Sequence, residues 1–184
     1  MVGGQRSRGG TLEMWVTDEH RVGLQPLLRR VWALRGQRPI VPIWPRYEWL
    51  YIYAFAHPPS GRAFFLLMPS IEIVAFNLAL QEFAAFVQPS PLHQVLILLD
   101  NASYHSSPKV QRPAGLDLRF LPAYSPELQP AEHLWQFTDK PLVNRWFKTL
   151  DELESVLVEH CSWLQHQHAL IRSATLFDWW PTCA

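Results

Sequence analysis

Three carboxylates lie where the expected secondary-structure elements begin or end. Asp18 closes an expected first strand, Asp100 follows the continuous apolar run 95–99, and Glu132 opens a helix after the last expected strand. If the strands that lead to Asp18 and Asp100 are neighbours in one sheet, these two residues lie side by side and Glu132 faces them from its helix. Oxygen ligands of this kind suit a hard cation, Mg²⁺ or Mn²⁺, and leave coordination positions for water and phosphate.

Residue types and spacing support two interpretations of these carboxylates. Three converging carboxylates cannot all stay ionised at close range without a compensating cation. Two cations about 3.5–4 Å apart at such a site would support phosphodiester chemistry. Carboxylates at strand ends are also common as turn and cap residues, so spacing alone leaves the metal site and the structural role evenly balanced.

Hydrophobic periodicity predicts the elements that would position these side chains. Strands are expected at 12–17, 29–36, 47–56, 62–68, 95–99 and 116–121, and helices at 71–87, 107–111, from about 131, and at 150–167. Strands on both sides of crossover helices imply a mixed sheet with helices packed on it. We therefore expect one α/β domain over residues 12–184, preceded by a flexible arm of residues 1–11.

Composition excludes several classes of protein. Hydrophobic residues make up 48% of the chain and charged residues 17%, which is typical of a globular protein and not of a disordered one. Sixteen basic residues balance sixteen acidic ones, so the chain has no long-range attraction for nucleic acid. The polar N-terminus and the interrupted apolar stretches predict neither a signal peptide nor a membrane span, and a cytoplasmic location is expected.

Three segments around the carboxylates resemble one family. They read TDEHRVGL at 17–24, VLILLDNASYH at 95–105 and LPAYSPELQPAEHLW at 121–135. These blocks are similar to the three acidic motifs of DDE-superfamily transposases, specifically the bacterial insertion-sequence transposases related to mariner elements (the IS-six-thirty family). The resemblance extends over nearly the whole chain, and its second and third blocks are long and specific.

The resemblance implies a fold, a chemistry and a set of ligands. The fold would be RNase H-like, with a mixed central sheet and helices on both faces, and the activity would be cutting and joining of transposon DNA ends. Asp18, Asp100 and Glu132 would bind two Mg²⁺ or Mn²⁺ ions and act as the catalytic carboxylates. Two departures stand out: Gln129 replaces the usual Asn, and the Asp100–Glu132 interval of 132 − 100 = 32 residues is slightly short.

Neighbouring side chains each have two interpretations. Asn101 either orients a phosphate or metal-bound water or caps a helix, and His105 either contacts the scissile strand and transfers protons or is a packed structural histidine. Glu19 either supports Arg21 or lines the site, although a surface position is favoured. Trp135 is expected to anchor the helix of Glu132 in the core.

Basic residues are densest just after the first carboxylate. Such a segment, interleaved with tryptophans, suits contacts with DNA phosphates and stacking on bases, although a solvated hairpin face fits nearly as well. The candidate DNA-binding residues are Arg21, Arg29, Arg30, Arg35 and Arg38.

The partners expected from the resemblance are transposon ends and target DNA, with a homodimer in the active complex. Family members usually carry N-terminal helix-turn-helix segments, which ten residues cannot form. Either a separately encoded helix-turn-helix chain reads the ends, or a frameshift joins two reading frames, or the chain is a truncated remnant. Two other functions stay open: a catalytically silent truncated transposase that regulates by binding DNA or full-length transposase, and a generic metal-dependent nuclease.

Overall fold

Five strands and four α-helices form the part of the chain that the computed structural model describes, which is residues 10–37, 40, 46–123 and 125–181. The strands are β1 (Thr11–Gly23), β2 (Trp49–His57), β3 (Arg62–Met68), β4 (His93–Leu99) and β5 (Leu116–Phe120). The helices are α1 (Ile73–Val87), α2 (Trp135–Thr138), α3 (Leu150–Leu164) and α4 (His168–Thr175), with 3₁₀ helices at Pro126–Leu128 and Pro130–Leu134.

One mixed sheet with the order β3-β2-β1-β4-β5 contains all five strands. The first three strands pair antiparallel, whereas β1 pairs parallel with β4 and β4 parallel with β5. Because β1 lies at the centre, it belongs both to the antiparallel meander β1-β2-β3 and to the parallel pair that it forms with β4. The expected neighbourhood of the first and fourth strands is confirmed.

The alternation of side chains along the strands divides the core between the two faces of the sheet. On one face, Trp15 and Phe55 pack against α1, where Phe83 stacks on Phe55 with ring centroids 4.2 Å apart. On the other face, Val16 packs against Leu134 and the helices near the C-terminus. Helices therefore cover both faces, as the sequence predicts.

The second face also holds α3 and α4, which fix the segment that carries Glu132. Leu153 and Leu157 of α3 pack on the start of β2, and Ile171 of α4 packs beside Leu134. The Thr149 hydroxyl accepts a hydrogen bond from the Glu152 amide at 3.3 Å and caps α3. The sequence predicted α3 as a helix at 150–167 and did not predict α4.

Two predicted elements are absent from the described residues. Residues 29–36 form no strand, since their side chains are exposed and no neighbouring strand pairs with them. The short helix expected at 107–111 is replaced by turns at 103–105 and 108–109. Both predictions rested on short patterns without a buried face, and tertiary contacts supply most of the stability of short elements.

The first strand is longer than predicted, and this changes the position of Asp18. Pairing of β1 with β4 ends at Val16, but pairing of β1 with β2 continues to Gly23. Asp18 therefore lies inside β1 and not at its end. Its edge toward β4 is open because β4 stops at Leu99.

No helix in the described part of the chain is long and apolar enough to cross a membrane.

The turn between β2 and β3 supports α4 through Gly61, and this contact predicts a stability difference. Gly61 has φ +70°, and a Cβ there would overlap the His168 carbonyl oxygen, whereas Gly36 has φ +86° and nothing within 4 Å of such a Cβ. We expect Gly61→Ala to lower the free energy of unfolding by about 3 kcal/mol and Gly36→Ala by only about 1 kcal/mol. Urea denaturation measures both; equal losses would contradict the contact.

Candidate active site

Strand register places two of the three carboxylates at one edge of the sheet. Val16 of β1 lies opposite Leu98 of β4, and continuing this register by two residues brings Asp18 opposite Asp100. In a parallel pair both carboxyl ends point the same way, so these residues share the edge where α/β sheets commonly present functional groups.

Asp18 occupies an environment that disfavours its charge. Its carboxylate is mostly buried on the face covered by α2, where the Trp135 Nε1 donates a hydrogen bond to its Oδ2 at 3.3 Å. Burial, reinforced by the neighbouring Glu19 and Glu132 carboxylates, raises the pKa of Asp18 to about 7 despite that hydrogen bond. No basic side chain among the described residues forms an ion pair with it.

Glu132 reaches the same place from the 3₁₀ helix Pro130–Leu134. Ala131 and Leu134 are fully buried in the core, while Glu132 is exposed at the edge. Glu132 contributes to the raised pKa of Asp18, so the two carboxylates are electrostatic neighbours. The element is a 3₁₀ helix followed by the single α-helical turn of α2, where the sequence predicted one helix.

Asp100 takes part in a separate network through His105. The Nδ1 of His105 donates to Asp100 Oδ1 at 2.7 Å and its Nε2 donates to Glu19 Oε1 at 3.1 Å. The Tyr104 hydroxyl donates to the other oxygen of Glu19 at 2.9 Å. The imidazole thus joins two carboxylates and is itself 1% exposed.

The charge of His105 follows from these two partners. Burial by itself would lower the pKa of the imidazole, but its hydrogen bonds to Asp100 and Glu19 raise it to about 9. The hydrogen bond from His105 in turn lowers the pKa of Asp100. At neutral pH the group is therefore an imidazolium between two carboxylates, and this geometry supports the structural interpretation of His105.

Two expectations for neighbouring residues change with the structure. A surface position for Glu19 is wrong, because its side chain is 5% exposed and both of its oxygens are hydrogen-bonded to the residues at 104 and 105. Asn101 is exposed and caps no helix among the described residues. The turn that follows is instead closed by Asp100, whose Oδ1 accepts from the Ala102 amide at 3.2 Å.

Sequence reasoning missed several residues that support the site. His20 stacks on Trp135 with centroids 4.9 Å apart and planes at 13°, and its Nε2 donates to Asp139 Oδ1 at 2.9 Å. Gln129 donates its Nε2 to the Thr17 carbonyl at 3.0 Å. The one sequence signal for them was proximity to the acidic blocks, since His20 and Gln129 lie within the quoted motifs.

The candidate DNA-binding arginines lie on an exposed segment beside a groove. Arg21 packs its guanidinium over Trp49 at 5.2 Å, and Arg29 donates to Asp139 at 3.2 Å. Arg30 and Arg35 are exposed, and Arg38 lies outside the described residues. The groove has a volume of about 540 Å³ and is lined in part by Arg21, Trp49 and Asp139. Positive and aromatic groups therefore adjoin the edge that carries Asp18.

The donor chemistry at this edge fits a hard divalent cation, although the three carboxylates do not form a closed ligand set. Among the described residues, no three His, Cys, Asp or Glu side chains lie close enough together to hold an ion. The Asp100 side chain turns toward His105. However, Asp18 and Glu132 are oxygen donors, the Glu132 charge contributes to the raised pKa of Asp18, and a cation would offset that repulsion.

A five-stranded mixed sheet with helices on both faces and acidic residues at the open edge of its central strands defines an RNase H-like domain with a nuclease-type site. Residues 13–154 match the family model of the DDE superfamily endonucleases. The chain belongs to this family, which confirms the resemblance of its three acidic blocks to the DDE superfamily.

A curated sequence relative matches most of the same domain. The Sinorhizobium fredii (strain NBRC 101917 / NGR234) protein named "Uncharacterized protein y4pE/y4sA" is 38% identical over 136 residues, which cover 71% of this chain and 96% of that relative. The matched length shows that the same domain makes up nearly all of the relative.

Solved structures of mariner transposase share the fold. The Mos1 mariner paired end complex with Mn matches with a TM-score of 0.63 at 16% identity, over 89% of this chain and 54% of the Mos1 chain. The Mos1 strand transfer complex matches with a TM-score of 0.58 at 14% identity, with coverage of 89% and 54%. This chain therefore spans about half the length of the transposase chains that it resembles.

The raised pKa of Asp18 predicts that, with metal ions removed by EDTA, the free energy of unfolding of wild type falls as pH rises. A carboxyl whose pKa rises from 3.8 unfolded to about 7 folded destabilises the protein as pH increases between these values. We expect Asp18→Asn to gain up to about 4 kcal/mol over wild type between pH 4 and pH 7.5, at about 1.4 kcal/mol per pKa unit. Glu159→Gln, on an exposed face of α3, is the control. A pH-independent difference in urea denaturation would refute the prediction.

The imidazolium at position 105 predicts a loss of stability with rising pH in a higher pH range. Because the pKa of His105 rises from 6.5 to about 9, its stabilisation is complete below pH 6.5 and is lost as pH rises through 9. The stability advantage of wild type over His105→Gln should shrink by about 3 kcal/mol across that range. Thermal unfolding from pH 6 to pH 10 measures it, with the exposed His166→Gln as control; a constant advantage would show that the imidazole is not charged.

Proposed function

We propose that this chain is the catalytic domain of a DDE transposase, which cleaves DNA at transposon ends and joins the freed ends to target DNA. Asp18, Asp100 and Glu132 are the proposed catalytic carboxylates and the ligands of two Mg²⁺ or Mn²⁺ ions. The observation that carries the proposal is the position of Asp18: mostly buried, next to Glu132, in register with Asp100, and without a basic partner among the described residues.

The chain's own residues have distinct parts in this proposal. When bound, the divalent cations supply Lewis-acid stabilisation of the charge that develops on the phosphodiester. His105 orients the Asp100 carboxylate through its 2.7 Å hydrogen bond and keeps it ionised. The Trp135 indole orients the Asp18 carboxylate through its Oδ2. Glu132 stays at the exposed edge, where DNA can approach it.

Contacts with DNA are proposed for the basic segment after Asp18. Arg21, Arg29, Arg30 and Arg35 are exposed and follow Asp18 in the chain, and Arg38 belongs to the same stretch of sequence. Such side chains neutralise phosphates without reading bases. Because the whole chain carries no net charge, most affinity and all end recognition are proposed to come from a part that this chain does not contain, such as a separately encoded helix-turn-helix chain.

Structural relatives agree with a DNA substrate. The Mos1 structures are described as paired-end, pre-cleavage and strand transfer complexes, including one with a left transposon end and others with Mn or Mg. All of these are complexes of the Mos1 transposase. They bear on this chain because it shares the fold of the Mos1 chain that forms such complexes.

The proposal predicts loss of cleavage in three isosteric variants. We expect Asp18→Asn, Asp100→Asn and Glu132→Gln each to reduce Mn²⁺-dependent cleavage of an element end by about 100-fold or more, because each removes one oxygen-anion ligand. Labelled end DNA on a denaturing gel measures cleavage, with and without EDTA and with and without a helix-turn-helix chain. Glu159→Gln is the matched acidic control.

The same assay separates the other functions. Cleavage without joining to target DNA would make the chain a nuclease, and binding of transposase or DNA without any cleavage would make it a silent regulator. Unchanged cleavage in any one of the three variants would remove that residue from the proposed set.

A further inference from the structure

Two hydrogen bonds attach the segment around Glu132 to consecutive residues of the central strand. Three residues before Glu132, the Gln129 Nε2 donates to the Thr17 carbonyl at 3.0 Å. Three residues after it, the Trp135 Nε1 donates to Asp18 Oδ2 at 3.3 Å. Glu132 is thus held on both sides against the part of β1 that carries Asp18.

The element between these attachments has little rigidity of its own. Residues Pro130–Leu134 form a 3₁₀ helix without a side-chain cap, and 3₁₀ helices have poorer hydrogen-bond geometry than α-helices. Ala131 and Leu134 are fully buried and fix which face turns inward. They do not determine how far Glu132 lies along β1, because apolar contacts are not directional. That distance depends on the two hydrogen bonds.

The indole at the second attachment is itself fixed. His20 lies parallel to the Trp135 ring, and its Nε2 donates to Asp139, which is 8% exposed. Arg29 donates to the second oxygen of Asp139 at 3.2 Å. The Trp135 ring therefore has a defined plane, and its N–H has one direction.

The first attachment is polar in a place where an apolar side chain would also fit. Gln129 is 3% exposed, and its Oε1 has no hydrogen-bond partner among the described residues. The Thr17 Oγ1 is likewise buried without a hydrogen-bond partner among the described residues. Buried polar atoms without partners cost stability. The contribution of Gln129 is therefore positional: its amide holds the segment around Glu132 against Thr17 of β1.

We propose that Gln129 and Trp135 are positioning residues that set the separation of the Asp18 and Glu132 carboxylates for binding a divalent cation. This inference rests on the proposed metal site. It assigns to Gln129 and Trp135 the function of holding Glu132 against β1, and assigns neither residue any contact with the cation or DNA.

The test measures Mn²⁺ affinity and stability in the same variants. Gln129→Met keeps the side-chain volume but removes the donor, and Trp135→Phe keeps an aromatic ring against His20 but removes the N–H. We expect the Kd for Mn²⁺, measured by electron paramagnetic resonance on the full chain, to rise about 10- to 100-fold in each. Circular dichroism and thermal unfolding confirm that both variants are folded at the temperature of measurement.

Three control variants separate positioning from general stability. Gln136→Ala removes an exposed amide that bonds only to the His133 carbonyl, and Trp163→Phe changes a half-exposed indole on α3. Leu80→Val, on α1, lowers stability through the core on the other face of the sheet, in a cluster that includes neither Gln129 nor Trp135. All three should bind Mn²⁺ with the affinity of wild type.

A spectroscopic readout reports the second attachment directly. The Trp135 indole N–H resonance, assigned by its loss in Trp135→Phe, should shift when Mg²⁺ is added to ¹⁵N-labelled wild type. It should not shift in Asp18→Asn.

The outcomes distinguish this inference from the proposed function. If wild type does not bind Mn²⁺, the metal site and the inference both fail. If wild type binds Mn²⁺ and Asp18→Asn does not, the site stands. In that case, unchanged affinity in Gln129→Met and Trp135→Phe, or affinity that falls equally in Leu80→Val, overturns the positioning inference alone.

Discussion

The burial of an ionisable carboxylate among other carboxylates is the constraint around which this domain is arranged. Asp18 lies on the central strand, where burial and the charges of Glu19 and Glu132 raise its pKa to about 7. Stability alone would favour an apolar residue at this position, because an unpaired buried charge is expensive. The Trp135 indole limits the cost of burying Asp18 by donating one hydrogen bond to its carboxylate. The edge of β1 beside Asp18 is open because β4 stops at Leu99.

The pleat of β1 keeps two acidic networks apart. Adjacent residues of a strand point to opposite faces, so Asp18 faces α2 while Glu19 faces His105. Glu19 has its compensating charge in the imidazolium, which also reaches Asp100. Asp18 has no such partner among the described residues. Of these two consecutive carboxylates, Glu19 is therefore compensated within the protein, and Asp18 has no compensating charge among the described residues.

Prediction from sequence succeeded where a segment has a long buried face. The run at 95–99 and the periodic helix that ends at Val87 were both found, since burial imposes a pattern on the residue types. It failed at 29–36, where an apolar run flanked by arginines resembles a strand but no strand among the described residues pairs with it. It also ended β1 too early, because polar residues after Thr17 hid the continued pairing with β2.

The sequence by itself determined the family, the α/β class and the three acidic positions, because these depend on local residue types and on motifs of fixed spacing. Only the tertiary structure decided which carboxylates share an environment, because that depends on strand register and on the face to which each side chain points. It placed Glu19 in the interior, turned Asp100 toward His105, and brought Gln129 and Trp135 onto β1 from more than a hundred residues away in the chain. No pattern within one segment can specify hydrogen bonds between segments so far apart.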